Sequence, residues 1–288
     1  MIENVNVFAR VRPLSGEESC LQIELSRIKV NDKAYDLNYV FDESASQEDV
    51  FDIVGRPIID GFIEGINGTI FAYGQTGSGK TYTMLGPDIN GVEINKTTDG
   101  IIPRADPFFK FSMKCTFLEI YNDEIYDLLR NEDISLKKPA IRVCAGDVEN
   151  VEEKKVTSYS ECMELLKRGI KKRKNAETAM NRESSRSHAI LMLSLVTTET
   201  NGVNIHHIRT SKLNLVDLGG SESHKHTNNS GIRQQEGSKI NQSLSFLVKV
   251  IGQIIDRNPH VSFRDSKLTL LLRESLSGNA KTAILYQH

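Results

Sequence analysis

Val5, Val7 and Ala9 alternate with Asn6, Phe8 and Arg10 ahead of Pro13, the period-two pattern of a strand closed by a breaker. Residues 14–42 mix short apolar pieces with polar breaks and predict small strands or loops. Over residues 47–66 the period changes. Val50, Phe51, Val54, Ile58, Ile59, Phe62, Ile63 and Ile66 fit one helical face, with a kink expected at Pro57. Residues 69–73 predict a short buried strand that runs into a glycine-rich turn. Further strands are expected over 114–120, 189–198 and 212–216, and a helix over 160–179. A long helix is expected from 232 to 256, with Ile240, Leu244, Leu247, Val248, Ile251, Ile254 and Ile255 on its apolar face. Strands alternating with helices predict an α/β layered fold. With no internal repeat and no Pro-, Gly- or Ser-rich linker, one domain over residues 1–288 is expected.

Composition narrows the classes. No apolar stretch approaches the ~18 residues of a membrane span, and the first residues lack the basic flank and apolar run of a signal peptide. The four cysteines, Cys20, Cys115, Cys144 and Cys162, form no C-x-x-C pair, so reduced thiols in a cytosolic protein are expected, without metal ligation. The formal net charge of −2 conceals a division. Residues 1–230 have a balance of −6, whereas 231–288 carry 8 basic and 4 acidic side chains, a surplus suited to an acidic partner. The run Lys171-Lys172-Arg173-Lys174 fits a nuclear signal or nucleic-acid patch, but its place at a helix end favours a solvated terminus.

Gly74-Gln75-Thr76-Gly77-Ser78-Gly79-Lys80-Thr81 matches the phosphate-binding loop G-x-x-x-x-G-K-[ST]. Its glycines let backbone N–H groups converge on phosphate oxygens, Lys80 reaches the β- and γ-phosphates, and the Thr81 hydroxyl binds Mg²⁺. The strand before it and the helix after it supply the required context. A guanine-specific protein normally also carries N-K-x-D; the nearest piece, Asn95-Lys96-Thr97-Thr98, has Thr in place of the Asp, which argues against guanine.

Two further segments bear chemistry. Asn181-Arg182-Glu183-Ser184-Ser185-Arg186-Ser187-His188 sets two hydroxyls beside a countercharge; taken alone it is also an ordinary polar loop. In Leu213-Asn214-Leu215-Val216-Asp217-Leu218-Gly219-Gly220-Ser221-Glu222 an apolar strand ends in a carboxylate suited to the Mg²⁺ hydration shell. The two glycines allow a backbone N–H to approach a γ-phosphate, and Glu222 supplies an anion.

The order of these three segments resembles the kinesin motor domain. Supporting matches are Arg10-Val11-Arg12-Pro13, the stretches 71–84 and 119–129, Ile240-Asn241-Gln242-Ser243-Leu244, and Arg264-Asp265-Ser266-Lys267-Leu268-Thr269. The wording is also similar to the centromere-associated kinesin-7 type. The resemblance implies a three-layer P-loop NTPase sandwich with a central, mostly parallel β-sheet flanked by helices. It implies ATP or ADP with Mg²⁺ as ligands. Arg10, Arg12 and Pro13 would flank the adenine, with Tyr82 stacking. Ser185 would join Thr81 on Mg²⁺, Asp217 would hold the ion through water, and Ser184 would place the attacking water. The Gly220 amide would sense the γ-phosphate, and Arg186 would pair with Glu222 when the loops close.

The implied partner is the microtubule, met by Lys239, Arg257, His260, Arg264 and Lys267. No membrane or nucleic-acid partner is expected, and the isolated head should be monomeric, in the cytoplasm on microtubules or the spindle. Departures are Gly219 for a usual Ala, Ser223-His224-Lys225-His226 where Arg is common, Ser262-Phe263 for Pro-Tyr, and Leu270 for Arg. Residues 281–286 resemble the last central strand, and the family's final helix and neck linker do not follow. The reading is a microtubule-stimulated motor ATPase. The alternative is a catalytically weak or inactive, nucleotide-dependent microtubule-binding module.

Overall fold

The structure, a computed structural model, describes residues 5–13, 21–24, 26–30, 33–87, 97–108, 112–131, 140–144, 147–180, 184–201, 205–222, 232–278 and 280–288, with the backbone alone at 106–108, 177–180, 184, 199–201, 205–207 and 232–239. It begins with β1 (Val5–Arg10), β2 (Leu21–Glu24), β3 (Arg27–Val30), β4 (Lys33–Asp36) and β5 (Tyr39–Phe41). Next come α1 (Gln47–Val50), a π-helical turn (Phe51–Gly55), α2 (Arg56–Ile63), β6 (Asn67–Gly74) and α3 (Lys80–Leu85). The middle holds β7 (Met113–Tyr121), β8 (Glu124–Asp127), β9 (Arg142–Cys144), β10 (Asp147–Glu149), β11 (Lys154–Val156) and α4 (Tyr159–Met180). The remainder is β12 (Ser187–Asn201), β13 (Ile205–Asp217), α5 (Ile232–Ile255), α6 (Lys267–Leu271), α7 (Arg273–Leu276) and β14 (Ala280–Gln287).

Among the described residues nine strands form the central sheet, in the order β11-β7-β12-β13-β6-β14-β1-β5 with β8 beside β7. It is mixed rather than mostly parallel. From β13 through β6, β14 and β1 to β5 every pairing is parallel. From β11 through β7 and β12 to β13 every pairing is antiparallel. The physical reason is the β12–β13 ribbon, whose neighbouring strands run in opposite directions through a short connection, whereas parallel neighbours need a crossover.

Side chains alternate across the sheet and fill two cores. On one face Ile70, Leu191 and Leu213 pack with Ile59 and Phe62 of α2 and Leu166 of α4. On the other, Phe71, Ile190 and Val216 pack with Ile240, Leu244 and Leu247 of α5 and Leu268 of α6. Adjacent residues Ile70 and Phe71 thus serve opposite cores, as the strand period requires. Each such side chain contributes roughly 1.5–3 kcal/mol of burial, and the result is three layers.

Two helix expectations are corrected in detail. The kink near Pro57 is a π-turn: the Arg56 N–H bonds to Phe51 O, five residues back, and Pro57 then opens α2 where no amide donor is needed. In α5, Val248 and Ile255 are 60% and 62% exposed rather than part of the apolar face. Ile240, Leu244 and Leu247 keep the three-four spacing, and Val248 and Ile255 fall at the edge of that stripe opposite the fully buried Val250. No described helix is long and apolar enough to cross a membrane.

Candidate functional site

The loop between β6 and α3 forms one wall of a cleft of about 760 Å³, lined among others by Arg12, Pro13, Ser78, Lys80, Thr81, Tyr82 and Gln287. Gly79 caps α3 at φ 103°, a left-handed conformation that would strain any side-chain-bearing residue. The Lys80 ammonium donates to Gly74 O at 2.9 Å and Gln75 O at 2.7 Å. Burial lowers its pKa, against the opposing pull of Asp217 and Glu222.

Arg10 lines the cleft wall. Its guanidinium donates to Gln47 Oε1 at 2.7 Å and Thr83 Oγ1 at 2.8 Å and sits 5.4 Å from the Tyr82 ring centre. Gln47 in turn donates to Tyr82 O at 2.8 Å, so α1 and β1 together hold α3 in place. Arg12 donates to Gly77 O. Tyr82 leaves 40% of its surface exposed, an accessible aromatic face at the cleft edge.

The end of β13 brings Asp217 to the same place. Thr81 donates its hydroxyl proton to Asp217 Oδ2 at 2.5 Å, while the buried Asp217 Oδ1 has no hydrogen-bond partner. Burial raises the Asp217 pKa, partly countered by Arg173, Thr81 and Lys80. A hydroxyl beside a buried, half-satisfied carboxylate fits a hard divalent cation, which favours oxygen ligands.

Beyond Asp217 the chain crosses to the glycine-rich loop. The Gly220 N–H donates to Ser185 O at 2.7 Å, and the Ser221 N–H to Gly74 O at 3.2 Å. Glu222 accepts from the Thr76 N–H at 2.9 Å and from the Thr76 hydroxyl, so both its oxygens rest on the loop rather than on Arg186. Burial alone would raise the Glu222 pKa, but the bonds from Thr76 outweigh it and hold the carboxyl below its usual range. Arg186 is buried at the end of a short 3₁₀ turn (Ser184–Arg186). The Ser184 side chain lies outside the described residues, as do residues 181–183 and 223–226.

Gly219, which stands where the resemblance leads one to expect Ala, does not have a left-handed φ. A methyl there would stand 3.2 Å from Ser185 O and 3.4 Å from Ser187 O, so its neighbours nearly accommodate Ala.

The basic C-terminal positions lie on the α5–α6 side. Arg257, in a left-handed conformation at φ 52°, and His260 and Arg264 are exposed. Lys267 is half-buried, with its backbone N–H donating to Asp123 Oδ1 at 2.8 Å. Gln253 steadies the intervening loop by accepting from the Ser262 N–H at 2.8 Å. Lys239 belongs to α5, but its side chain lies outside the described residues.

The sequence model described as the kinesin motor domain matches residues 4–287. The chain belongs to this family. Kinesin-like protein KIF15 of Homo sapiens is 42% identical over 319 residues, which cover 98% of this chain and 22% of that protein. KIF15 of Strongylocentrotus purpuratus is 40% identical over 311 residues, covering 98% and 21%. The chain therefore spans about a fifth of the length of these curated relatives. Among solved structures, one described as a fast kinesin, with implications for ATPase mechanism and interactions with microtubules, superposes with a TM-score of 0.87 at 34% identity, covering 99% of this chain and 85% of that one. A kinesin 6 structure gives 0.84 at 25%, covering 99% and 93%. The finer resemblance to the kinesin-7 type has no counterpart in these names.

Within this kinesin motor domain the structure adds residues that motif reading passed over. Gln47 and Gln287 border the cleft from α1 and β14. Arg173 and Lys172, expected at a solvated helix end, turn inward. Arg173 pairs with Glu119 at 3.1 Å and donates to Ser187 Oγ at 2.9 Å, and Lys172 donates to Asp127 O and Arg130 O. Their only signal in the sequence is spacing on α4, where positions 169, 172, 173 and 176 share the side that carries Cys162 and Leu166 toward the sheet. Of the thiols, Cys115 and Cys162 meet between β7 and α4, where their mutual contact and burial push the Cys115 pKa up and keep it inert. Cys144 is exposed, and Cys20 lies outside the described residues.

Proposed function

We propose that this chain is a motor head that binds and hydrolyses Mg-ATP and couples closure of its cleft loops to microtubule binding, in the cytoplasm on microtubules or the spindle. The observation that carries this is the meeting of three sequence-distant segments in one cleft: the loop 74–81, Asp217 with Gly220 and Glu222, and the Ser184–Arg186 turn. Phosphoryl transfer demands positioned charge more than covalent chemistry, and these groups supply it.

In this reading Lys80 and the loop amides hold the phosphates, and Tyr82 and Pro13 offer surfaces to the base. Arg12 steadies the loop through Gly77. Arg10, held by Gln47 and Thr83, lines the wall and would flank the base with Pro13. Thr81 and Ser185 would hold Mg²⁺ directly and Asp217 through water, and the ion would neutralise charge on the phosphates. Two contacts must exchange on closure. The Gly220 N–H leaves Ser185 O for the γ-phosphate, and Glu222 leaves Thr76 for Arg186. Glu222 now occupies the Thr76 amide as an anionic phosphate oxygen would. Ser184 places the attacking water.

Track binding falls to Lys239, Arg257, His260, Arg264 and Lys267, and it should weaken with salt because exposed charges are screened over ~8–10 Å. Steady-state ATP turnover with and without microtubules is the test. A Thr81→Asn variant that keeps full stimulated turnover defeats the catalytic assignment. A wild-type chain that binds microtubules according to nucleotide without turning ATP over would instead be the inactive module.

A further inference from the structure

We propose that His188 is a positioning residue whose imidazole joins the Gly219–Gly220 loop to helix α5, so that loop and helix move together. His188 is the second residue of β12 and only 2% exposed. Its Nδ1 accepts from the Gly219 N–H at 3.0 Å, and its Nε2 lies 2.8 Å from Ser243 Oγ on α5. The Ser243 hydroxyl donates to Ile240 O at 2.8 Å.

These partners fix the tautomer. An amide can only donate, so Nδ1 is bare. The serine proton is committed to Ile240, so Nε2 carries the hydrogen and donates to Ser243. The result is a directed chain from Gly219 N–H through the ring and the hydroxyl to the α5 backbone, with both ring nitrogens used. Burial, with Arg173 and Lys80 nearby, holds the His188 pKa at about 3, which keeps the ring in the neutral form the chain requires.

The mount for the ring is equally defined. Neighbouring Ser187 points to the opposite side of the strand, where its hydroxyl donates to Glu119 at 2.7 Å and accepts from Arg173. The start of β12 is thereby pinned to β7 and α4 while His188 reaches across to the loop and α5. Asp217 lies two residues before the bonded residue Gly219 and Gly220 directly after it, so a shift of that loop changes the anchor on α5 directly.

The inference rests on the motor reading above and is tested apart from it. In the full chain, Ser243→Ala cuts the α5 end of the link with one small deletion. His188→Asn places its oxygen near Nδ1 and keeps the Gly219 contact alone; His188→Gln reaches toward Nε2 and keeps the Ser243 contact alone. Amide exchange of Gly219, followed by mass spectrometry or NMR, is expected to accelerate about tenfold in S243A, although the substituted residue lies on another element. The ratio of microtubule-stimulated to basal turnover should fall roughly five- to tenfold in all three variants. S243A should keep basal turnover within about twofold, and H188N/S243A should be no worse than H188N, because both cut one link. Unchanged Gly219 exchange in S243A, an unchanged stimulation ratio, or equal loss of basal and stimulated turnover in S243A overturns the proposal. A wild-type chain that microtubules fail to stimulate defeats the motor reading, and Gly219 exchange alone then decides the link.

Discussion

Gly219 and Gly220 are adjacent in sequence and face different constraints. A Cβ on Gly219 would meet carbonyl oxygens no closer than 3.2 Å, whereas one on Gly220 would collide with the Glu222 carboxylate and the Thr76 hydroxyl. Gly219→Ala is therefore expected to change stability by less than ~1 kcal/mol and to leave ATP turnover near wild type, because reduced unfolded-state freedom offsets the tight fit. Gly220→Ala should push Glu222 off Thr76 and lower turnover at least about tenfold. Urea melts and steady-state turnover of the two variants check both statements. The residues legible in the sequence were those in contiguous motifs, such as Lys80, Thr81 and Asp217. Gln47 and Gln287 were not, and His188, although it closes the 181–188 segment, showed no role there. Gln47 and His188 bond partners 30 or more positions away, Gln287 reaches the cleft from the far end of the chain, and no local pattern announces a contact across the fold.

At the scale of elements, hydrophobic period located β1, β6, β12, β13, α4 and α5 well, since each buries a face long enough to show its period. It did not find β8 to β11, which are three or four residues long and half exposed. Nor did it separate Val248 and Ile255 from the buried stripe of α5, because an apolar residue beside a stripe looks like its edge. Helix α6 illustrates a different determinant. The Ser266 hydroxyl, buried, accepts from the Thr269 N–H at 3.1 Å and caps a helix of only five residues. Ser266→Ala should cost roughly 1–2 kcal/mol, seen as a lower urea midpoint at unchanged m-value. Because α6 carries Lys267, the same change should weaken microtubule binding more than nucleotide binding.

For the molecule as a whole, the sheet divides into a parallel half that ends at the cleft and an antiparallel half that braces it. The Arg173–Glu119 pair ties α4 to that brace, with side chains only 11% and 4% exposed. Removing one partner of a buried pair leaves the other charge uncompensated. Arg173→Ala should thus destabilise the fold by about 3–5 kcal/mol, and Arg173→Ala with Glu119→Leu should recover much of that loss in a thermal melt. Sequence reading yielded the layers but not the change of strand direction, because hydrophobic period does not record which way a neighbouring strand runs.

The cleft also has an electrostatic balance of its own. Arg10, Arg12, Lys80 and Glu43 line it, and Asp217 and Glu222 act on Lys80 from beside the loop, so carboxylates already offset part of the cationic charge. A triphosphate arriving without a counterion would bring several negative charges close to the half-satisfied Asp217, which is bonded to Thr81 of the lining. The ligand that suits such a site is a nucleotide already partnered by its metal. Chelating Mg²⁺ should weaken nucleotide affinity by about tenfold or more, measured by fluorescence titration. Asp217→Asn, which removes one carboxylate charge, should narrow the gap between free and metal-bound nucleotide.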